Sequence, residues 1–260
     1  MIGRLATIAS FVVGILLWEF AIRYFHVPVY VVPPPSGIAL ALYRGLDAHL
    51  TDIGGYYYHF GVTAYESLLG LAIGAVLGIA LGAIISQVPF FERTLLPWIL
   101  AFMAVPKIAL APIFVVWFGI GLTSKIVMVV TITFFPVLIN AIAGFRAASP
   151  DQIELMRSCS ASSWQIFRIV KLPSALPYIF AGLNLAAILS ILGALVGEFI
   201  GAQSGLGSLI VQMNNNLDMR GVFSVLVLLS AFGLGLHYLL GWFRSKFLFW
   251  SPDERNITGL

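Results

Sequence analysis

Six long apolar runs, separated by short polar breaks, set the rhythm of this chain. They cover residues 5–25, 62–86, 94–121, 126–145, 174–200 and 221–243. Each is long enough for a helical membrane span, which needs about 20 mostly apolar residues. The first carries Glu19 and Arg23 near its far end. No charge occurs between Ser67 and Phe91, and only Lys107 interrupts the third run. None of the runs alternates with a two-residue period, as barrel strands do, and lipid satisfies no backbone groups. The pattern predicts an all-α membrane protein of about six transmembrane helices, with residues 1–260 forming one transmembrane domain.

Composition supports lipid as the solvent. Of 260 residues, 60% are hydrophobic and 10% charged. Soluble domains carry about 25% charged residues, and the mean hydropathy here is +0.99. The net charge of +3 would suggest nucleic acid in a soluble protein, but these basic residues sit in loops, where the positive-inside rule accounts for them. With the N-terminus inside, Arg4, Arg93, Arg146, Arg157, Arg168, Lys171, Arg244, Lys246 and Arg255 lie inside. Arg23, Arg44, Lys125 and Arg220 lie outside. That asymmetry predicts both termini in the cytoplasm. No small-x-small cleavage site follows the first run, which predicts an uncleaved first span. The external segments are then 26–60 and 201–220. The first holds Val32-Pro33-Pro34-Pro35-Ser36, a predicted helix from Gly37 to Leu46, and Tyr56, Tyr57 and Tyr58, which read as an interfacial belt.

Within the spans, Gly70, Gly74, Gly78 and Gly82 fall four apart on one helix face. Such a face lets a second backbone approach closely, and a partner helix in this chain is favoured over one in a second copy. Lys107 lies between Pro106 and Pro112, which points to a broken helix. A lysine at that depth faces a cavity or pathway, pairs with a carboxylate such as Glu198 or Glu66, or stabilises the break. Glu198 precedes a glycine-rich outer turn and either fixes an outer gate or sits at the interface. Glu66 reads as a residue within reach of the headgroups. His26, His49, His59 and His237 have no metal-ligand spacing, and no catalytic constellation is present, so no metal and no enzymatic chemistry is expected.

The longest polar interruption in the distal half is the 146–173 loop, predicted to be cytoplasmic. Its single cysteine, Cys159, excludes an intrachain disulfide. Ser149, Pro150 and Gln152 suit the start of one short helix, about 150–159, and Ser162 with Gln165 the start of another, about 163–170. A bend is expected near Ser160 and Ala161, and Pro173 should stop the second helix. Trp164, Phe167 and Val170 share a face of that helix. A short helix with an apolar face needs something to pack on, so the loop reads as a docking surface for a cytoplasmic partner or as a cover over its own spans.

Here the residues resemble a known family. The loop is similar to the signature of ABC importer permeases, Glu-Ala-Ala-x3-Gly-x9-Ile-x-Leu-Pro. In this chain it reads Glu154-Leu155-Met156, then Ser160, then Val170-Lys171-Leu172-Pro173. Leu155 and Met156 stand where the family has alanines, and Ser160 where it has the glycine of the bend. Three further motifs resemble the nitrate, sulfonate and taurine branch: Val32–Ser36; Pro106–Pro112 with Trp117-Phe118-Gly119-Ile120-Gly121; and Glu198 followed by Gly205-Leu206-Gly207. The resemblance covers roughly residues 30–245.

It implies a type I ABC importer transmembrane fold in a bacterial inner membrane. It also implies a pair of permease chains, a homodimer, with two ATPase subunits and a periplasmic or lipid-anchored solute-binding protein. The ATPases would dock on Glu154, Arg157, Ser160, Ala161, Trp164, Phe167, Leu172 and Pro173. The implied cargo is a small anion such as nitrate, a sulfonate or taurine, or else a pyrimidine-type vitamin precursor. No G-x-x-x-x-G-K-[ST] phosphate loop occurs here, so ATP and magnesium are expected on the ATPases and no cofactor in this chain. The alternative is an autonomous secondary transporter or channel, which would leave the capped, aromatic loop without a purpose.

Overall fold

The computed structural model describes residues 2–47, 55–248 and 250. His49, Arg255 and the side chain of Arg4 lie outside the described residues. Three helices form the centre: α3 (Tyr56–Gln87), α6 (Leu122–Arg146) and α9 (Leu172–Phe199). Between lipid-solvated helices there is little hydrophobic drive, so close backbone packing has to hold them. The glycine ladder supplies it. A Cβ at Gly70 would lie 2.5 Å from Val129, and one at Gly82 2.6 Å from the Cβ of Ala141. At Gly78 it would lie 3.0 Å from the backbone of Leu138. The ladder therefore packs on α6 of the same chain. On α9, a Cβ at Gly193 would come within 3.1 Å of the Val129 Cα. Val129, fully buried, is thus held between two helices.

The earlier and later elements wrap this centre. In α1 (Ile2–Tyr24) no residue of the apolar window is buried. Its Glu19 accepts from the Ser36 N–H at 3.0 Å and the Ser36 hydroxyl at 2.8 Å, pinning the start of α2 (Pro35–Leu46). Pro35 occupies a first-turn position, where its missing N–H costs nothing. At the other end of the chain, α10 (Leu206–Asn215) and α11 (Met219–Phe247) close the bundle. The predicted external segments are thus not merely loops: one contains α2 and the first turn of α3, the other α10. Tyr56 does not join an interfacial belt. It is buried, with its hydroxyl 2.7 Å from that of Ser224 on α11. At 32 residues, α3 is about 48 Å long, well over the roughly 30 Å hydrocarbon layer.

The third apolar run is broken, as its prolines suggested. It divides into α4 (Pro89–Ala104), a 3₁₀ turn (Lys107–Leu110) and α5 (Ala111–Phe118), bent by 77°. Pro106 cannot donate to the helix ladder, and its ring disfavours helical geometry in Val105, which is extended. Among the described residues, five helices are long and apolar enough to cross a membrane, or six if the bent pair is one span.

The loop forms α7 (Pro150–Ser158) and α8 (Ser163–Ile166). Ser162 and Gln165 make the predicted capping box in full, whereas Ser149 makes no side-chain cap bond. At the bend, Ser160 takes φ +58°, the left-handed region. The Ala161 N–H reaches back to the Met156 carbonyl and the Ser160 N–H to that of Arg157, a Schellman closure of α7. The position filled by glycine in the family thus keeps its left-handed geometry here with a serine.

The expectation that Pro173 stops the second helix is overturned. α8, a π turn (Phe167–Lys171) and α9 run on as one 37-residue helix, Ser163–Phe199. The ring of a helical proline clashes with the carbonyl four residues back, here Ile169. The wider π turn lies at that level and accommodates the ring. Lys171 ties this rod to the end of α3 through Gln87 Oε1 at 2.6 Å.

Candidate functional site

Three charged residues are brought together inside the bundle, at the end opposite α7. Glu66 and Glu198 are each 1% exposed and Lys125 is 7% exposed. The third turn of α3, the first turn of α6 and the last turn of α9 deliver them. Lys125 Nζ donates to Glu66 Oε1 at 2.8 Å and to the Ser204 carbonyl at 3.4 Å. Glu198 Oε1 accepts from the Thr63 hydroxyl at 2.7 Å, and its Oε2 accepts from the Gly207 N–H. The Glu66 and Glu198 carboxyls neighbour each other, and Glu66 Oε2 has no donor among the described residues.

Glu198 and Thr63 also cap α10. The Leu206 N–H donates to Thr63 Oγ1 at 2.8 Å, while that of Gly205 donates to His59 Nδ1 at 3.0 Å. Those N–H groups are the unpaired donors of a helix start, and a carboxylate there also meets the positive end of the helix dipole. Gly205 has φ +110°, and a Cβ on it would lie 2.2 Å from the Glu198 carboxyl. Only glycine fits such a turn.

Above the Lys125–Glu66 pair lies a cavity of about 770 Å³, walled by Tyr57, Tyr58 and Tyr65 of α3 and by Gln203 and Ser204 after α9.

Several expectations change as a result. Lys125 is no outer-loop charge but the buried partner of Glu66. Glu66 is therefore interior rather than within reach of headgroups, and Glu198 is interior rather than interfacial. Lys107 pairs with neither carboxylate. Its Nζ donates to the Met103 carbonyl at 2.9 Å and lies 4.9 Å over the ring of Phe135. That carbonyl is one of those the end of α4 leaves unpaired, so the lysine stabilises the break. It also lines a separate cavity of about 270 Å³ with Pro106, Pro136 and Leu189. The sequence reading missed Lys125, Thr63 and His59. A lysine opening an otherwise uncharged span was the one available signal.

At the opposite end, none of the nine residues of α7 is buried, and Glu154, Arg157, Ser160 and Leu155 are exposed. Trp164, 67% exposed, stacks on Phe167 at 5.6 Å, and Phe167 stacks on Phe145 at 5.5 Å. Val170 is buried. The predicted apolar face thus grades from a covered end at Val170 to an open end at Trp164. Ala161 is half-buried at the bend. Leu172 and Pro173, also half-buried, lie within the rod rather than on the exposed surface.

The profile of a family described as the binding-protein-dependent transport system inner membrane component matches residues 74–248. The chain belongs to this family. Curated relatives agree along nearly the whole length. The riboflavin transport system permease protein of Chloroflexus aurantiacus is 32% identical, over 92% of this chain and 87% of that one. The formylaminopyrimidine transport permease protein of Halalkalibacterium halodurans is 34% identical, over 86% and 87%. A putative aliphatic sulfonates transport permease protein of Escherichia coli is 33% identical, over 85% and 82%. The permease also shares the fold of a methionine ABC transporter solved in inward-facing conformations. That match has TM-score 0.59 and 21% identity, and covers 83% of this chain and 98% of that one. It is a multi-pass membrane subunit of an ABC importer, and its relatives include those of the sulfonate and taurine branch. Membership disfavours the autonomous transporter or channel.

Proposed function

We propose that the permease pairs with a second copy of itself in a bacterial inner membrane, both termini cytoplasmic, and forms the path for a small solute handed over by a binding protein. Two ATPase subunits bind ATP and magnesium, one on each 146–173 loop, and the permease itself carries no cofactor. The cargo belongs to the range carried by its relatives, from sulfonates to pyrimidine-type heterocycles. The buried cluster of Glu66, Lys125 and Glu198 acts at the outer gate, and Lys107 lines the path beside the helix break.

One observation carries this reading. α7 is a nine-residue helix with no buried residue. Isolated helices that short are unstable in water, so a partner surface is what gives it a reason to persist. Its charged residues, Glu154 and Arg157, and the open edge of Trp164 present that surface.

The test is a pull-down from mild detergent of the wild type and of the Glu154→Ala/Trp164→Ala double variant. An ATPase subunit should co-purify with the first and be lost from the second. Well-folded wild type that retains no ATPase would refute the docking role.

A further inference from the structure

We propose that the cavity above the Lys125–Glu66 pair is a recognition site for a flat nitrogen heterocycle, uncharged or cationic, and that it disfavours sulfonates. This narrows the cargo named above and rests on the importer reading.

The volume fits. At about 770 Å³ the cavity lies within the range of small-molecule sites, roughly 300–1,000 Å³. The wall fits too. Tyr57, Tyr58 and Tyr65 are 37%, 40% and 54% exposed, so their rings are open to a ligand. Tyr58 and Tyr65 are seven apart on α3 and share a face. Aromatic walls favour flat rings and cations. A compact sulfonate gains little from them.

The charge count decides the class. Among the described residues Lys125 is the only cation lining the cavity, and it is already matched by Glu66 at 2.8 Å. Glu198 does not line the cavity: its two oxygens are taken by the Thr63 hydroxyl and the Gly207 N–H. The remaining lining groups are neutral. An entering anion would shed its water without meeting an uncompensated cation, and the Glu66 carboxyl would lie beside it. A ring bearing N–H donors meets the opposite situation. Glu66 Oε2, buried beside the cavity, lacks a donor among the described residues, so Glu66 keeps spare capacity to accept. Gln203 and Ser204 at the rim add side chains able both to donate and to accept. The relatives named for riboflavin and for formylaminopyrimidine carry heterocycles of this kind.

The placement suits a delivery site. The cavity opens at the start of α6 and the end of α9, while the docking loop joins the end of α6 to the start of the rod. The two surfaces therefore lie at opposite ends of the same helices.

The experiment uses the full permease, co-purified with its partner subunits and reconstituted in lipid nanodiscs. The probes are riboflavin, formylaminopyrimidine and taurine, measured by direct binding. At least one heterocycle should bind, and a hundredfold excess of taurine should not displace it. Tyr58→Ala/Tyr65→Ala should weaken that binding by about tenfold or more, whereas Tyr43→Ala, an exposed tyrosine on α2, should leave it unchanged. Thermal unfolding checks that each variant is folded. Three results would overturn the proposal: taurine binding in place of the heterocycles, heterocycle binding indifferent to the two tyrosines, or no binding of either heterocycle. ATPase recovery in the same preparation reports separately on the importer reading. A preparation that holds ATPase and binds taurine refutes the heterocycle site and leaves the importer standing.

Discussion

Gly205 is the space into which the Glu198 carboxyl fits. Any side chain at 205 would overlap that carboxyl, and the φ of +110° adds backbone strain for an L-residue. Gly205→Ala should therefore destabilise the permease by about 2–4 kcal/mol, from overpacking plus strain. Thermal unfolding in detergent should show a clear drop in Tm, whereas Gly201→Ala, where φ is +90° but no atom lies within 4 Å, should lose less. Equal losses would mean that the carboxyl is not the obstacle.

The glycine ladder invites a second comparison. A Cβ at Gly74 would meet the Thr133 hydroxyl at 2.3 Å, but at Gly61, on the same helix, nothing lies within 4 Å. Gly74→Ala should cost about 1–3 kcal/mol, and Gly61→Ala should be neutral or slightly stabilising because alanine is the better helix former. Unfolding midpoints of the two variants measured side by side test the α3–α6 contact directly.

Removing one member of the buried ion pair should be worse than removing both. Lys125→Met leaves Glu66 charged and unpartnered, at a cost of about 3–5 kcal/mol. Lys125→Met with Glu66→Gln removes both charges and should recover most of that loss. A double-mutant cycle on thermal stability reads the difference, and additive losses would mean that the pair is not coupled.

Ser160 supports a prediction of opposite sign. Its φ of +58° strains any residue with a Cβ. Ser160→Gly should stabilise the loop by about 1 kcal/mol, and Ser160→Val should weaken it by more. Amide hydrogen exchange across α7 and α8 would register both changes.

The spans could be read from the sequence because their signal is local: twenty apolar residues in a row mean the same thing wherever they occur. The capping box was legible for the same reason, since Ser162 and Gln165 are three apart. Lys125 was not. Its partner is 59 residues away, and an ion pair leaves no periodicity behind. Counting it as an outer-loop charge was a consequence of its position at the start of an apolar run. Glu66 was misplaced by the same blindness. Pro173 misled in another way. The rule that proline ends a helix assumes an α ladder, and nothing in the sequence announced the π turn that makes room for the ring.

That π turn has a mechanical consequence. Had Pro173 broken the helix, a push at Trp164 would have been spent on a flexible joint. Instead a continuous helix, about 55 Å along its axis, joins Trp164 to Glu198 at its far end. Tilting one end carries the other with it, so the buried Glu198 carboxyl is mechanically tied to the 146–173 loop.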